Sequence, residues 1–245
     1  MAQATADHGE HEATTTGLNH RKMLMWAFLG SDCMFFGSLI ATYLVYKNRS
    51  LEGPLPIDVF SIPTTSVSTF VLLMSSMSMV LAYSALRRNR MKTFRVWLAS
   101  TAIMGMTFLA FQVFEFRVFA NHEVVVDCHA PIGELSIVEL SVRNDKTVGC
   151  EATGHDEVEK QVGLTPKTNL FGSTFFTLTG FHGAHVTIGV IWLLTMFFLS
   201  FKKGMVTPER NLDLDLAALY WHFVDIVWII IFTVVYLFGV FPGFA

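Results

Sequence analysis

Several polar side chains fall inside long apolar runs, where a charge or an unpaired hydrogen-bonding group is costly and needs a partner or a task. Asp32 lies in Gly30-Ser-Asp-Cys-Met-Phe-Phe36, with no basic residue on the adjoining helical turns. A carboxyl so placed can exchange protons with a nearby pathway. The alternative is a protonated or hydrogen-bonded packing residue. Because nothing on its own helix neutralises it, we expect Asp32 to face the interior of a helix bundle. Gln112 and Glu115 are one helical turn apart with Arg117 close by, and we expect an interfacial ion pair or lipid contact at Glu115. His182 and His185 share a helical face, as do His222 and Asp225. One reading of the three histidines is a bis-histidine haem site across two helices. The other is packing: Gly180, Gly183, Ala184 and Gly189 form a surface for close helix approach, on which histidine bonds to a neighbour's backbone, and His222 with Asp225 makes an interhelical clasp.

The elements that must position these groups are membrane spans. The 245 residues are 52% hydrophobic and 15% charged, with 23 Phe and 12 Met, too apolar for an ordinary soluble domain of this length. About 20 helical residues cross the hydrocarbon core, and the stretches Met23 to Tyr46, Ser66 to Leu86, Val96 to Phe119, Phe171 to Phe201 and Ala217 to Phe241 are each long enough. They lack the alternation of barrel strands, and a helix satisfies its own backbone in lipid. The expected fold is therefore all-α, a polytopic membrane bundle of five transmembrane helices with one long extracytoplasmic insertion. Pro54, Pro56 and Pro63 punctuate the first loop, and Gly204 with Pro208 break the chain after the fourth helix.

Residues 1–20 read as a disordered cytoplasmic tail, in which His8, His11 and His20 have no fixed geometry for a metal. Residues 21–120 carry three helices, 121–170 the insertion and 171–245 the last two. Arg87, Arg88, Arg90, Lys92 and Arg95 form a basic turn without an acid, and Arg21, Lys22, Lys202, Lys203 and Arg210 flank other helix ends on the same side. That side is expected to be the cytoplasm, with the N-terminus inside and the C-terminus outside. A net charge of -3 with bases in short clusters offers no face for nucleic acid.

The acid-rich insertion falls on the opposite side. Glu134 to Val142 alternates as a strand would, and Val124 to Val126 suggests a second. We expect a disulfide between Cys128 and Cys150, both on the oxidising side. Metal binding with His129 and His155 is the rival reading, although the spacing matches no compact zinc pattern. Cys33, within the first helix, reads as a small buried hydrophobe.

The stretch from Gly172 to Gly189, Gly-Ser-Thr-Phe-Phe-Thr-Leu-Thr-Gly-Phe-His-Gly-Ala-His-Val-Thr-Ile-Gly, and Tyr220-Trp-His-Phe-Val-Asp-Ile-Val-Trp228 resemble cytochrome c oxidase subunit III. Gln112 and Glu115 resemble that family's Gln-x-x-Glu-Tyr element, with Phe116 in place of the tyrosine, and Trp26 to Tyr46 resembles its helix with an embedded acid. The likeness covers nearly all of the membrane portion and suits the five-helix bacterial form. It implies a subunit that holds no metal or redox centre, packs on catalytic subunit I beside subunit II, encloses phospholipid and sustains proton delivery. Haem and copper are then expected in the partner subunits and none directly on this chain.

Asp32 carries the proton-related expectation. Gln112, Glu115, His182, His185, Lys202, Lys203, Asp215, Trp221, His222 and Asp225 carry the lipid or structural one, with Lys202 and Lys203 resembling basic residues near the family's lipid cleft. The family acid is usually Glu in cytochrome c oxidases and Asp in related quinol oxidases, so Asp32 leaves the electron donor open between cytochrome c and quinol. The 121–170 insertion matches no familiar family element, and docking of a donor, a partner subunit or another respiratory complex all suit an outer position. Two functions from other classes compete. A proton channel or transporter would relay through Asp32, Glu115 and Asp225, but the chain shows no internal repeat and no paired helix breaks. A b-type haem carrier would give the isolated chain a visible spectrum. The bacterial cytoplasmic membrane is the expected location.

Overall fold

The computed structural model describes residues 19–46, 62–120, 166, 170–202, 205–207 and 212–238. Among them the helices are α1 (His20–Tyr46), α2 (Ile62–Arg87), α3 (Met91–Ala120), α4 (Leu170–Leu199) and α5 (Leu212–Ile231), the last continued by a π-helical segment, Phe232–Leu237. Five helices are long and apolar enough to cross a membrane, and no strand occurs among the described residues. The fold is the expected all-helical membrane bundle. The strands proposed within the insertion, the Cys128–Cys150 pairing and Lys203 lie outside the described residues.

The helices run longer at their starts than the apolar windows suggested. α3 begins at Met91 rather than Val96, and α5 at Leu212 rather than Ala217. A hydropathy window finds the hydrocarbon-facing core of a span, whereas the helix continues into the interface with charged residues such as Lys92, Arg95, Asp213 and Asp215. Pro63 does not keep the chain in a loop. It occupies the first turn of α2, where a proline costs no intrahelical hydrogen bond. α4 ends at Leu199, before Phe201, and Arg95 of α3 reaches across to satisfy its terminus: Nη2 donates to the Ser200 carbonyl at 2.5 Å and Nε to Ser200 Oγ at 3.2 Å, with the guanidinium 4.5 Å from the Phe201 ring centre.

The ends of other helices are closed locally. Asn19 caps α1, its Oδ1 accepting from the Arg21 amide at 3.0 Å. Between α2 and α3, Asn89 adopts φ 55° while its amide donates to Leu86 O and that of Arg90 to Ala85 O, each at 2.9 Å. That pair of bonds is a Schellman motif, with asparagine at the left-handed position it tolerates better than most residues.

α5 packs against α4, α2 and α1, while α2 lies along α3 and α3 along α4. α1 stands at the edge, against α4 and α5. It buries Leu29, Phe36 and Tyr43, a stripe at seven-residue steps, with Met25, Leu39 and Ile40 partly buried beside it, so most of its remaining surface is exposed. Cys33 lies on that free surface and is exposed, contrary to the expectation that it is buried.

Candidate functional site

Alternation of the spans brings the starts of α1, α3 and α5 to one end of the bundle with the finishes of α2 and α4. Arg21 pairs with Asp213 at 2.9 Å in the open, and Lys22 with Asp215 at 2.8 Å in a half-buried position, tying α1 to α5 at this basic end. Lys202 is exposed at the same end.

At the opposite end Glu115 is buried, at 5% exposure, rather than at the interface, and makes no ion pair among the described residues. Its carboxylate accepts a hydrogen bond from Thr65 Oγ1 of α2 at 2.5 Å and one from the Tyr236 hydroxyl at 3.4 Å. Tyr236 reaches it from the π-helical segment, and Tyr43 of α1 donates to the Val235 carbonyl of that segment at 3.5 Å. Gln112, one turn inward, donates through Nε2 to the Thr179 carbonyl of α4 at 2.7 Å. A Cβ on Gly183 would lie 2.8 Å from Gln112 Oε1, so the amide packs closely on a glycine and would have to shift for any side chain there.

Deeper in the bundle, Asp225 accepts from Ser76 of α2 at 2.5 Å through Oδ2, while its buried Oδ1 has no hydrogen-bond partner among the described residues. His222, on the same face, is half-buried. Trp221 is buried against Gly105 of α3 and Gly189 of α4, and its indole donates to Ser75 Oγ at 3.0 Å. Trp228 likewise donates to Thr69 Oγ1 at 3.0 Å. The close-packing surface proposed for α4 is therefore narrower than expected. Gly183 and Gly189 belong to it, but Gly180 has no atom within 4 Å of a Cβ position and Ala184 is exposed.

Neither histidine of α4 bonds to a neighbouring helix's backbone as expected. His182 is wholly buried, stacked on Trp228 with ring centres 4.9 Å apart and edge-on to Phe108 and Phe36, and neither ring nitrogen has a hydrogen-bond partner among the described residues. His185 Nδ1 lies 2.8 Å from the Phe181 carbonyl of its own helix, and Nε2 lies 3.6 Å from Asp32 Oδ2. Asp32 thus faces α4 across the α1–α4 groove. Among the described residues, no three His, Cys, Asp or Glu side chains converge as a metal site would require.

Sequence reasoning missed the hydroxyl stripe of α2. Thr65, Ser68, Thr69, Ser75 and Ser78 are all buried, and Thr65, Thr69, Ser75 and Ser76 meet Glu115, Trp228, Trp221 and Asp225. Hydroxyls recurring at three- and four-residue steps in an otherwise apolar span were the available signal.

The family model described as "Cytochrome c oxidase subunit III" matches residues 154–240. The chain is 32% identical over 228 residues to a cytochrome c oxidase subunit 3 of Alkalihalophilus pseudofirmus, covering 93% of this chain and 91% of the relative. It is 33% identical over 240 residues to a quinol oxidase subunit 3 of Bacillus subtilis, covering 96% and 97%. It is 31% identical over 214 residues to a cytochrome bo(3) ubiquinol oxidase subunit 3 of Pseudomonas aeruginosa, covering 87% and 83%.

Proposed function

This chain belongs to the cytochrome c oxidase subunit III family, and from that premise we propose that, as subunit III of a haem–copper terminal oxidase, it packs on catalytic subunit I beside subunit II, holds phospholipid and supports proton uptake during reduction of oxygen to water. Electrons pass through the partner subunits, which carry the haem and copper, and this chain is non-catalytic. The observation that carries the reading is α1, which buries only three residues within the chain, against eleven for α5. Its exposed Leu24, Trp26, Phe28 and Met34 offer a long apolar face to a partner subunit or to lipid.

Purification in mild detergent through a tag on this chain tests the assembly. Subunits I and II should accompany it, and the haem spectrum should follow them and leave the isolated subunit colourless. A chain that purifies alone with its own haem spectrum would overturn the reading. Asp32 is the proton-related residue: Asp32→Asn should shorten sustained turnover while haem and copper content stays at the parent level. Lys202 and Lys203 hold lipid phosphate, so their double alanine variant should lose tightly bound phospholipid.

The protein is a multi-pass membrane protein. We place it in the bacterial cytoplasmic membrane with the basic end inside, and the 121–170 insertion outside as a disulfide-closed docking element for a donor or a neighbouring complex. A quinol donor is the second reading, favoured by Asp rather than Glu at position 32 and by quinol oxidase relatives matched as well as the cytochrome c oxidase ones.

A further inference from the structure

Several polar side chains that face outward within the spans are satisfied by their own helix. Thr42, Thr107, Thr177 and Thr195 are exposed, and each hydroxyl donates to the carbonyl four residues earlier at 2.7–2.9 Å. A side chain folded back in this way can face acyl chains at little cost. His222 of α5 has no such bond. It makes no hydrogen bond among the described residues, and its neighbour one turn on, Asp225, is turned to Ser76 of α2. Unlike those of the enclosed His182, its ring nitrogens are not sealed inside the bundle.

The depth of this ring makes the missing partner costly. Asp215, paired with Lys22, marks the basic end of α5. His222 lies seven residues further along the helix, roughly 10 Å at 1.5 Å per residue, which is inside the hydrocarbon and beyond the reach of lipid headgroups. The ring belongs to the outward side of α5. Tyr220, Trp221, Val224, Asp225 and Trp228 are buried, whereas Ile226, Ile229 and Ile230 are 55%, 38% and 45% exposed, and Leu219 and His222 are half-buried. Leu219, His222, Ile226 and Ile229 follow one another at steps of three, four and three residues, the spacing of a seam that one further helix can pack along.

We propose that this stripe of α5 is the docking seam for a transmembrane helix of another subunit, and that His222 recognises a hydroxyl or carboxamide side chain on that helix. Acyl chains would cover the isoleucines but leave the imidazole unsatisfied. An apolar helix with one Ser, Thr, Asn or Gln at the matching depth satisfies both. An imidazole in either tautomer presents one donor and one acceptor, and a hydroxyl or carboxamide answers either role without bringing a charge into the membrane. The inference rests on the oxidase-subunit reading for the supply of partner helices, and it adds a docking face on α5 to that of α1.

The test is made on the whole oxidase complex in lipid, with Ile226 replaced by the photoreactive p-benzoylphenylalanine. Irradiation should join this position to a transmembrane segment of another oxidase subunit, with a Ser, Thr, Asn or Gln within one turn of the joined residue. In the otherwise native complex, His222→Leu should raise the ratio of oxidase lacking that subunit to oxidase retaining it about threefold on detergent dilution, the worth of one interhelical hydrogen bond in lipid. His222→Gln, which keeps a donor and an acceptor, should restore retention toward the parent. Cross-linking to lipid alone, to a second copy of this chain or to a wholly apolar segment would overturn the seam, as would parent-like retention in His222→Leu. The photoreactive position reads the contact with His222 in place, so a His222 variant that fails to fold leaves the seam open to refutation. Absence of subunits I and II from the preparation refutes the oxidase reading, whereas their presence with only lipid at position 226 refutes the seam alone.

Discussion

α1 and α5 are both apolar spans of similar reach, yet they are held in different ways. α5 and its π-helical continuation bury eleven residues of the helix proper, insert two tryptophans among three other helices and send hydrogen bonds from Trp221, Trp228 and Tyr236 to α2 and α3. α1 buries three residues and is fastened at a few points, two ion pairs at its start, Tyr43 at its finish and the Asp32–His185 pair between them. In lipid, where hydrophobic transfer does not drive helices together, van der Waals fit and interhelical hydrogen bonds decide the strength of association. The contrast therefore marks α5 as the internal core and α1 as the most exposed span of the bundle.

The largest effect is expected at Trp221. Trp221→Ala removes a buried ring from between Gly105 and Gly189 and strips Ser75 of its donor. It should cost about 3 kcal/mol, the low end for a buried aromatic because lipid supplies no transfer term. Resistance of the purified complex to unfolding in denaturing detergent measures it, and Trp26→Ala on the exposed face of α1 is the control, expected within ~0.5 kcal/mol of the parent in the isolated subunit. Equal losses from both would break the distinction between the two helices.

Glycines sharpen it further. A Cβ on Gly105 would approach the Trp221 ring and lie 2.9 Å from Val190, whereas one on Gly37 of α1 meets nothing within 4 Å. Gly105→Ala should cost about 1–3 kcal/mol by overpacking, and Gly37→Ala should be neutral or gain up to ~1 kcal/mol from helix propensity. If Gly37→Ala weakens the assembled oxidase but not the free subunit, a partner backbone approaches α1 there. Ser76→Ala, which leaves the Asp225 carboxyl without its hydroxyl donor, should cost about 1–2 kcal/mol by the same detergent assay. The smallest change is Arg21→Ala at the open Arg21–Asp213 pair, within about 1 kcal/mol and reduced by salt; a loss as large as that of Ser76→Ala would show that α1 is anchored mainly from its charged end.

The spans and the fold class were legible because about 20 consecutive apolar residues carry their own signal, and helix is the structure they adopt in lipid. Partners were less so. Asp32 could be aimed inward from the lack of a neutralising base, but no periodicity within α1 points to His185 on a helix more than a hundred residues later. Glu115 was misjudged because Arg117 is its neighbour in sequence, whereas the fold brings Thr65 and Tyr236 to it. Cys33 was misjudged because burial was assigned to the span as a whole, although α1 turns only one narrow stripe inward. The close approach at Gly105 needed the position of Trp221, which only packing supplies.

The ion pair between Lys22 and Asp215 joins residues 193 positions apart in the chain. At ~5–20 residues per second, a ribosome takes roughly ten to forty seconds to travel that distance. α1 is therefore made well before the helices it docks on, α4 and α5. Throughout that interval it must stand in lipid without α4 and α5, which its 27 residues and largely apolar surface allow. Its sparse attachment to the finished bundle suits a segment that stands in lipid before its docking helices are made.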